Sequence, residues 1–379
     1  MENIKKYIRK FDFVIILIMT ILICTGLFCL RQIDLLSYEN KGLFTKQLLG
    51  VLIGLVTILG ILFIDYRFIC KLSYIMYIGT VLILTYLLVF GDPINYVKRW
   101  IVIAGTQFQP SELTKIVLIL FLANICSNYK NKLDKMYMFV ILTVLTAIPV
   151  ILIVKEPHLS SGISILFIFC IIVYSSGISF KVIGTVFALV IPLTAAIIIS
   201  VAVFHVKLPL IKSYHINRMI TFLSSDEEDD AAGKYQQNQA IVAIAAGGRQ
   251  GELVSNDVSI KKYSNIYANE SDFIFSVVGE EFGFIGSTVI IFLYLILILR
   301  CLMMASHAPD QKGKLICIGV SALLAFQVFA NIGVAIDLLP NTGLPLPFIS
   351  NGLTSLIISM MAIGLVLNIG LRRKDVTPV

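Results

Sequence analysis

Residues 271–300 read SDFIFSVVGEEFGFIGSTVIIFLYLILILR. Asp272, Glu280 and Glu281 precede an apolar run that continues to Arg300. As one α-helix the stretch is ~45 Å long at ~1.5 Å per residue, whereas the hydrocarbon of a bilayer needs ~30 Å. Counted outward from Arg300, the hydrocarbon ends near Glu280, and Asp272 stands ~12 Å further out, at headgroup level. At about 100° per residue, Asp272, Ser276, Gly279, Gly283 and Gly286 share one face, small enough for a neighbouring helix to approach closely. The stretch therefore predicts a membrane helix whose outer end aims a carboxylate at a helix bundle. The rival reading, a solvated N-cap aspartate with acidic neighbours, predicts no such aiming.

The rest of the chain has the same character. Of 379 residues, 58% are hydrophobic and 14% charged, against about a quarter charged in soluble proteins. Apolar blocks of bilayer length predict ten spans, roughly 12–30, 43–64, 73–90, 112–126, 137–154, 162–179, 182–204, 271–300, 315–338 and 352–370. Helices are the structures that satisfy their own backbone groups in lipid when loops separate them in this way. The expectation is an all-α integral membrane protein, a polytopic bundle of about ten helices in one domain, 1–379. No cleaved leader and no appended soluble domain is expected. One long connector, 205–270, carries the acidic knot SSDEEDD at 224–230.

Basic residues orient the bundle. With the N-terminus cytoplasmic, Lys5, Lys6, Arg9, Lys10, Arg67, Lys71, Lys130, Lys132, Lys135, Lys181, Arg300, Lys312, Lys314, Arg372, Arg373 and Lys374 all lie inside. The short outer loops and span ends hold only Arg31, Lys41, Lys46, Lys98, Arg99, Lys115 and Lys155. Both termini are then cytoplasmic and the long loop is extracellular, on the same side as Asp272. The formal charge of +7 reports this topology and does not argue for nucleic acid. All seven cysteines fall in spans or at inner ends, so no outer disulfide is expected. The absence of C-x-x-C and the four scattered histidines argue against a metal site built from them.

Polar information concentrates on the outer side. In NYVKRWIVIAGTQFQPSELTK (95–115), Lys98, Arg99 and Trp100 suit a phosphate-rich headgroup layer. Pro110, Ser111 and Glu112 suit a helix start. Lys115, one turn into a span, needs a partner or a cavity, and Glu112 three residues earlier can supply one. KEPHLSSG (155–162) is a tight turn in which Lys155, Glu156 and His158 are not needed for folding. QQNQAIVAIAAGGR (236–249) reads as a short helix ended by Gly247 and Gly248; those glycines, followed by Arg249, either cap it or let backbone N–H groups meet an anion. NIGVAIDLLPNTGLPLPFISNG (331–352) predicts an irregular hairpin lining a cavity or buried in protein, with Asp337 a costly charge inside the ninth span.

Together, FQPSELxK (108–115), KxPxLxxG (155–162), YQxxQAIxAIxxGG (235–248), DFIFxVxGEExGFIG (272–286) and NTGLPLPFISxG (341–352) resemble the SEDS proteins, the RodA, FtsW and SpoVE family of bacterial shape, division and sporulation. The motifs occur in order over almost the whole chain. The resemblance implies ten spans and a peptidoglycan glycosyltransferase that polymerises lipid II at the outer face of the cytoplasmic membrane. It implies a class B penicillin-binding protein as partner. Asp272 would be the catalytic base. Lys98, Arg99, Lys155, Arg218 and Arg249 would meet the pyrophosphate of the undecaprenyl-linked substrate. Glu112, Lys115, Glu270 and Ser350 would complete the substrate site. Mg²⁺ or Mn²⁺ is a candidate cofactor through Glu112, Glu270 and Asp272, with no dedicated metal loop in view.

This chain departs from the family's pattern at IYANES (266–271), His158 and RQGELVS (249–255). A non-catalytic scaffold for a penicillin-binding protein and a lipid II flippase are the alternatives. The short tails lean toward a RodA-like elongation or SpoVE-like sporulation role.

Overall fold

The computed structural model describes residues 11–36, 42–92, 98–103, 106–178, 231–255, 261, 263, 266–341 and 343–373. Its helices are α1 (Phe13–Leu36), α2 (Leu43–Phe63), α3 (Tyr66–Phe90), α4 (Pro110–Asn128), α5 (Met136–Lys155), α6 (Leu159–Ser175), α7 (Ala231–Ala246), α8 (Glu252–Ser255), α9 (Ile274–Ser306), α10 (Gln311–Ala335) and α11 (Leu353–Leu371). Eight of the described helices are long and apolar enough to cross a bilayer, and α6 is a shorter apolar helix. Nine of the predicted spans thus correspond to α1–α6 and α9–α11. The predicted span at 182–204, and Arg218, lie outside the described residues. Ahead of α4 a short antiparallel hairpin pairs β1 (Ile101–Ile103) with β2 (Thr106–Phe108).

Burial sorts the helices. The apolar windows of α4, α10 and α11 are 89%, 72% and 78% buried, against 22% for α2 and α3. The first three form the centre of the bundle, and the others turn broad apolar faces such as Leu52, Val56, Ile75 and Ile78 outward. In lipid this is the expected arrangement, because apolar side chains gain nothing by leaving the hydrocarbon and close packing decides what pairs. The α2–α11 contact shows the means. Gly50 faces Leu353 and Leu356, and a Cβ added at Gly54 would lie 2.2 Å from the Met360 sulfur.

Two features break the regular pattern, and both surround the outer end. The single helix expected over 271–300 is interrupted. α9 begins at Ile274, so Asp272 lies in the preceding turn, and Gly283 sits at φ 64°, ψ −167°. The physical reason is a loop that competes for the backbone. Phe284 N donates to Gly248 O at 2.9 Å and Ile285 N to Arg249 O at 3.2 Å. At Gly283 only a glycine fits, since a Cβ would stand 2.3 Å from Gly251 N. The shared face drawn from Asp272 to Gly286 therefore does not exist as one helical stripe.

The second feature is the segment 336–352. It is irregular, and its second half is buried, with Leu344, Leu346, Phe348 and Ile349 at most 2% exposed. Asp337 is outside α10, in the turn that follows it, with a left-handed φ of 57°. The expectation of a charge within the span is corrected accordingly; aspartate tolerates that backbone better than most residues. Irregular backbone survives at this depth because protein encloses it. α1 presses directly on it at Gly26, where a Cβ would lie 2.7 Å from Ile349 Cα.

Candidate active site

Asp272 ends a tight turn. Ser271, Asp272 and Phe273 all donate their N–H groups to Ala268 O. The turn is then fastened to the 341–352 hairpin from several sides. Ser350 Oγ donates to Ser271 O at 2.7 Å and accepts from Leu346 N at 2.8 Å. Asn351 N donates to Glu270 O at 2.7 Å. Asn331, from α10, uses its amide nitrogen on both Asp272 O (2.9 Å) and Leu344 O (2.8 Å). The turn that leads into the hairpin is held by Gln237 of α7, which donates to Val334 O and Leu339 O, and the hairpin itself by Gln47 of α2, which donates to Ser350 O. The Asp272 side chain is half-buried and points at Gly343, where a Cβ would come 3.3 Å from Oδ2. The bundle-facing direction read from the sequence is right, but the turn and its clamps produce it rather than a helical face.

The segment before the turn is fixed to α9 by its two buried glutamates. Glu280 Oε2 accepts from Tyr263 N at 2.8 Å. Glu281 Oε1 accepts from the Tyr263 hydroxyl at 2.9 Å and pairs with Lys261 at 3.2 Å. Burial, then the Glu281 charge, pushes the Tyr263 phenol well above its usual range, so it stays a donor.

A second polar cluster lies beside the first. Lys115 Nζ meets Glu112 Oε1 at 2.6 Å, both side chains being at most 1% exposed. Gln327 Nε2 lies 3.5 Å from Glu112 Oε2. Gln327 and Asn331 are one turn apart on α10, so a single helix face serves both the ion pair and the Asp272 turn. At the head of α4, the ring of His158 lies 3.3 Å from Gln109 Nε2, Ser111 Oγ and Ser161 Oγ. Arg99 donates to Glu156 O at 3.0 Å and to Pro157 O. Glu156 is 1% exposed, and neither carboxyl oxygen has a hydrogen-bond partner. Burial pushes this carboxyl up to about 8, against the opposing pull of Arg99.

The remaining sequence candidates are more scattered. Lys98 Nζ lies 3.5 Å from Leu88 O and Val89 O, at the carbonyl-rich end of α3. Lys155 and Arg249 are exposed, and Glu270 is half-buried in the Asp272 turn. The 247–251 glycines do not form an anion cradle: Gly251 N donates to Gly247 O and Gly248 N to Ala245 O. Gly247 and Gly251 instead admit the backbone of α9 at Gly279–Phe282. Among the described residues no group of three or more His, Cys, Asp or Glu side chains could hold a metal ion. The residues missed by sequence reasoning are the amides Gln47, Gln237, Gln327 and Asn331. Their signal was available for three of them, because an amide inside an apolar span needs a partner.

Comparison with known proteins follows from this geometry. A family model described as "Cell cycle protein", for FtsW, RodA and SpoVE, matches residues 10–375. The chain is 32% identical over 348 residues to "Probable peptidoglycan glycosyltransferase FtsW" of Enterococcus hirae, covering 88% of this chain and 84% of that one. It is 28% identical over 366 residues to "Stage V sporulation protein E" of Bacillus subtilis, covering 94% and 96%. Among solved structures, a chain reported under "Structural coordination of polymerization and crosslinking by a peptidoglycan synthase complex" matches with a TM-score of 0.79 at 28% identity, covering 96% of this chain and 99% of that one.

Proposed function

Because this chain belongs to the cell cycle protein family of FtsW, RodA and SpoVE, we propose that it is a peptidoglycan glycosyltransferase that polymerises lipid II at the outer face of the bacterial cytoplasmic membrane. The observation that carries the reading is the Asp272 turn: a backbone fastened by Ser350, Asn331 and Asn351, with a carboxylate left half-buried at the hairpin. In the reaction, the 4-hydroxyl of the acceptor sugar attacks the anomeric carbon of the donor. The new glycosidic C–O bond forms as the C–O bond to phosphate breaks. The hydroxyl proton passes to Asp272, and undecaprenyl pyrophosphate leaves as the anion. A fixed backbone serves this chemistry because a general base must already stand at hydrogen-bond distance from the proton it takes.

The leaving group needs cations, and Arg99 is the strongest candidate, since it sits within the polar cluster at the head of α4. Lys98, Lys155, Arg218 and Arg249 are proposed as further contacts at the lipid surface. Glu112 and Lys115 hold the wall of the site as a buried pair, while Glu270 and Ser350 set the Asp272 turn. A divalent cation, Mg²⁺ or Mn²⁺, enters this proposal only as an ion carried on the substrate pyrophosphate, where it would offset the leaving group's charge; Asp272 and Glu270 are the residues that would face it. The basic inner loops support cytoplasmic termini, and a class B penicillin-binding protein is the proposed partner for cross-linking.

The test is glycan polymer formation from purified lipid II, with and without a cognate class B penicillin-binding protein, for wild type and Asp272→Asn. Both proteins must elute monodisperse. Polymer from the wild type alone supports the transferase and its base. Equal polymer from both would remove Asp272 as the base. No polymer from either, with a proven partner present, would favour a scaffold.

A further inference from the structure

Glu156 is an acidic member of the polar cluster that the reaction above leaves without a task. It occupies the C-cap of α5, and its N–H donates to Leu152 O and Ile153 O. The carbonyl end of a helix carries partial negative charge, which disfavours an anion there. The carboxyl is 1% exposed and has no hydrogen-bond partner on either oxygen. Arg99, the charged neighbour, points its guanidinium at the main-chain oxygens of Glu156 and Pro157. A buried carboxylate without donors is costly, whereas the neutral acid is not, and the neutral acid carries an O–H donor. The rise to about 8 caused by burial agrees with that state.

We propose that Glu156 is a protonated hydrogen-bond donor to a phosphate oxygen of the lipid-linked substrate, acting beside Arg99. The inference rests on the polymerase reading and assigns one contact within it. A carboxylate next to a pyrophosphate would repel it, so an acid in that position helps only while neutral. Ionisation removes the donor, adds a negative charge and draws the Arg99 guanidinium toward the carboxylate. The charged and titratable groups of the surrounding elements leave this balance to Arg99. Lys155, in the same turn, is exposed. His158 is engaged with Gln109, Ser111 and Ser161. On α4, Glu112 and Lys115 are paired with each other. Substrate binding therefore weakens as pH rises through the titration of Glu156, with the step catalysed by Asp272 unaffected.

The experiment compares KM and kcat for lipid II across pH in wild type, Glu156→Gln and Glu156→Ala. Losing one hydrogen bond to a charged group is worth about tenfold in affinity. Wild-type KM should rise about tenfold between about pH 7 and about pH 9, with kcat nearly constant. Glu156→Gln, a permanent neutral donor of the same shape, should abolish the alkaline rise and keep the low KM. Glu156→Ala should show the high KM at every pH. An alkaline rise in Glu156→Gln equal to that of the wild type would overturn the proposal. So would a loss of kcat at constant KM, which is the sign of a purely structural role.

A binding arm uses nanodiscs containing undecaprenyl pyrophosphate, or phosphatidylglycerol alone, and needs no turnover. Wild type should lose the undecaprenyl pyrophosphate at alkaline pH, and Glu156→Gln should not. Equal pH-dependent binding of phosphatidylglycerol would overturn the assignment to substrate, since both lipids present the same phosphate chemistry. A protein that polymerises nothing yet binds undecaprenyl pyrophosphate with this profile would keep the contact and lose the polymerase reading.

Discussion

Asp272 and Glu112 are both carboxylates at the outer end of the bundle, and neighbouring amides on one face of α10 serve both, yet the protein treats them in opposite ways. Around Asp272 the hydrogen bonds seize the main chain: Asn331 takes Asp272 O, Ser350 takes Ser271 O, and Asn351 N takes Glu270 O. The carboxylate stays half-buried. Around Glu112 the carboxylate itself is consumed, by Lys115 on one oxygen with Gln327 near the other, in a site closed to solvent. The first arrangement fixes the backbone that carries the charge. The second neutralises a charge so that the wall around the reaction can be dry.

This difference is broken most directly by removing each charge in turn. Asp272→Asn should lower polymerisation by about 10²- to 10⁴-fold, the contribution of a positioned general base. Because no clamp on its backbone is touched, its thermal midpoint should stay within experimental error of the wild type. Lys115→Met should do the reverse in kind. It leaves Glu112 buried and uncompensated, and such a broken pair costs ~3–5 kcal/mol. The checks are a lower thermal midpoint and a poorer yield of monodisperse protein. The double substitution Glu112→Leu with Lys115→Met should regain most of the stability, since two apolar residues suit a buried site. A stable but inactive Lys115→Met would move this lysine from the wall to the substrate.

Ser350→Ala sharpens the comparison with a smaller effect. It removes the hydroxyl that bridges Ser271 O and Leu346 N, without altering either carboxylate. Leaving a buried donor and acceptor unsatisfied costs about 1–3 kcal/mol. The turn that carries Asp272 should loosen, which faster amide exchange over 268–273 would reveal. Polymerisation should fall by about tenfold while the Glu112–Lys115 pair remains intact.

How far the sequence reaches also differs between the two regions. The ion pair was legible: Lys115 in an apolar block demanded a partner, and only one spacing offered it. The nine described spans were legible for the same reason, because hydrocarbon thickness sets a length that composition can be read against. The Asp272 turn was legible only in outcome. Its position depends on the interruption of α9 at Gly283, and that rests on an earlier loop whose Gly248 and Arg249 carbonyls accept from the α9 backbone. Periodicity sees a helix through such a glycine, since a single break leaves the apolar pattern on both sides unchanged. The same blindness explains the 247–251 glycines. Their sequence suits an anion cradle, but close approach of two backbones uses the same residue for another purpose. Gln237, in a polar helix, sent no signal because amides are ordinary there.

Glu156 supplies the smallest effect and the finest division between the two treatments of a carboxylate, because it is buried like Glu112 but unpaired. Its folded value is about 8 against an ordinary 4.5, raised mainly by burial. The folded protein therefore holds a proton that the unfolded chain releases above about 4.5, and folding takes up a proton between those values. The sign follows. The stabilising contribution is fully present below about 4.5 and is lost as pH rises through about 8. Between about pH 7 and about pH 9 the loss is about 1 kcal/mol. Thermal midpoints of the wild type in detergent should therefore decline over that interval, and those of Glu156→Gln should decline less by about that amount. A decline of equal steepness in Glu156→Gln would mean that Glu156 is already ionised in the folded protein. It would then belong with Glu112 as a compensated charge, with Arg99 in the place that Lys115 fills one helix away.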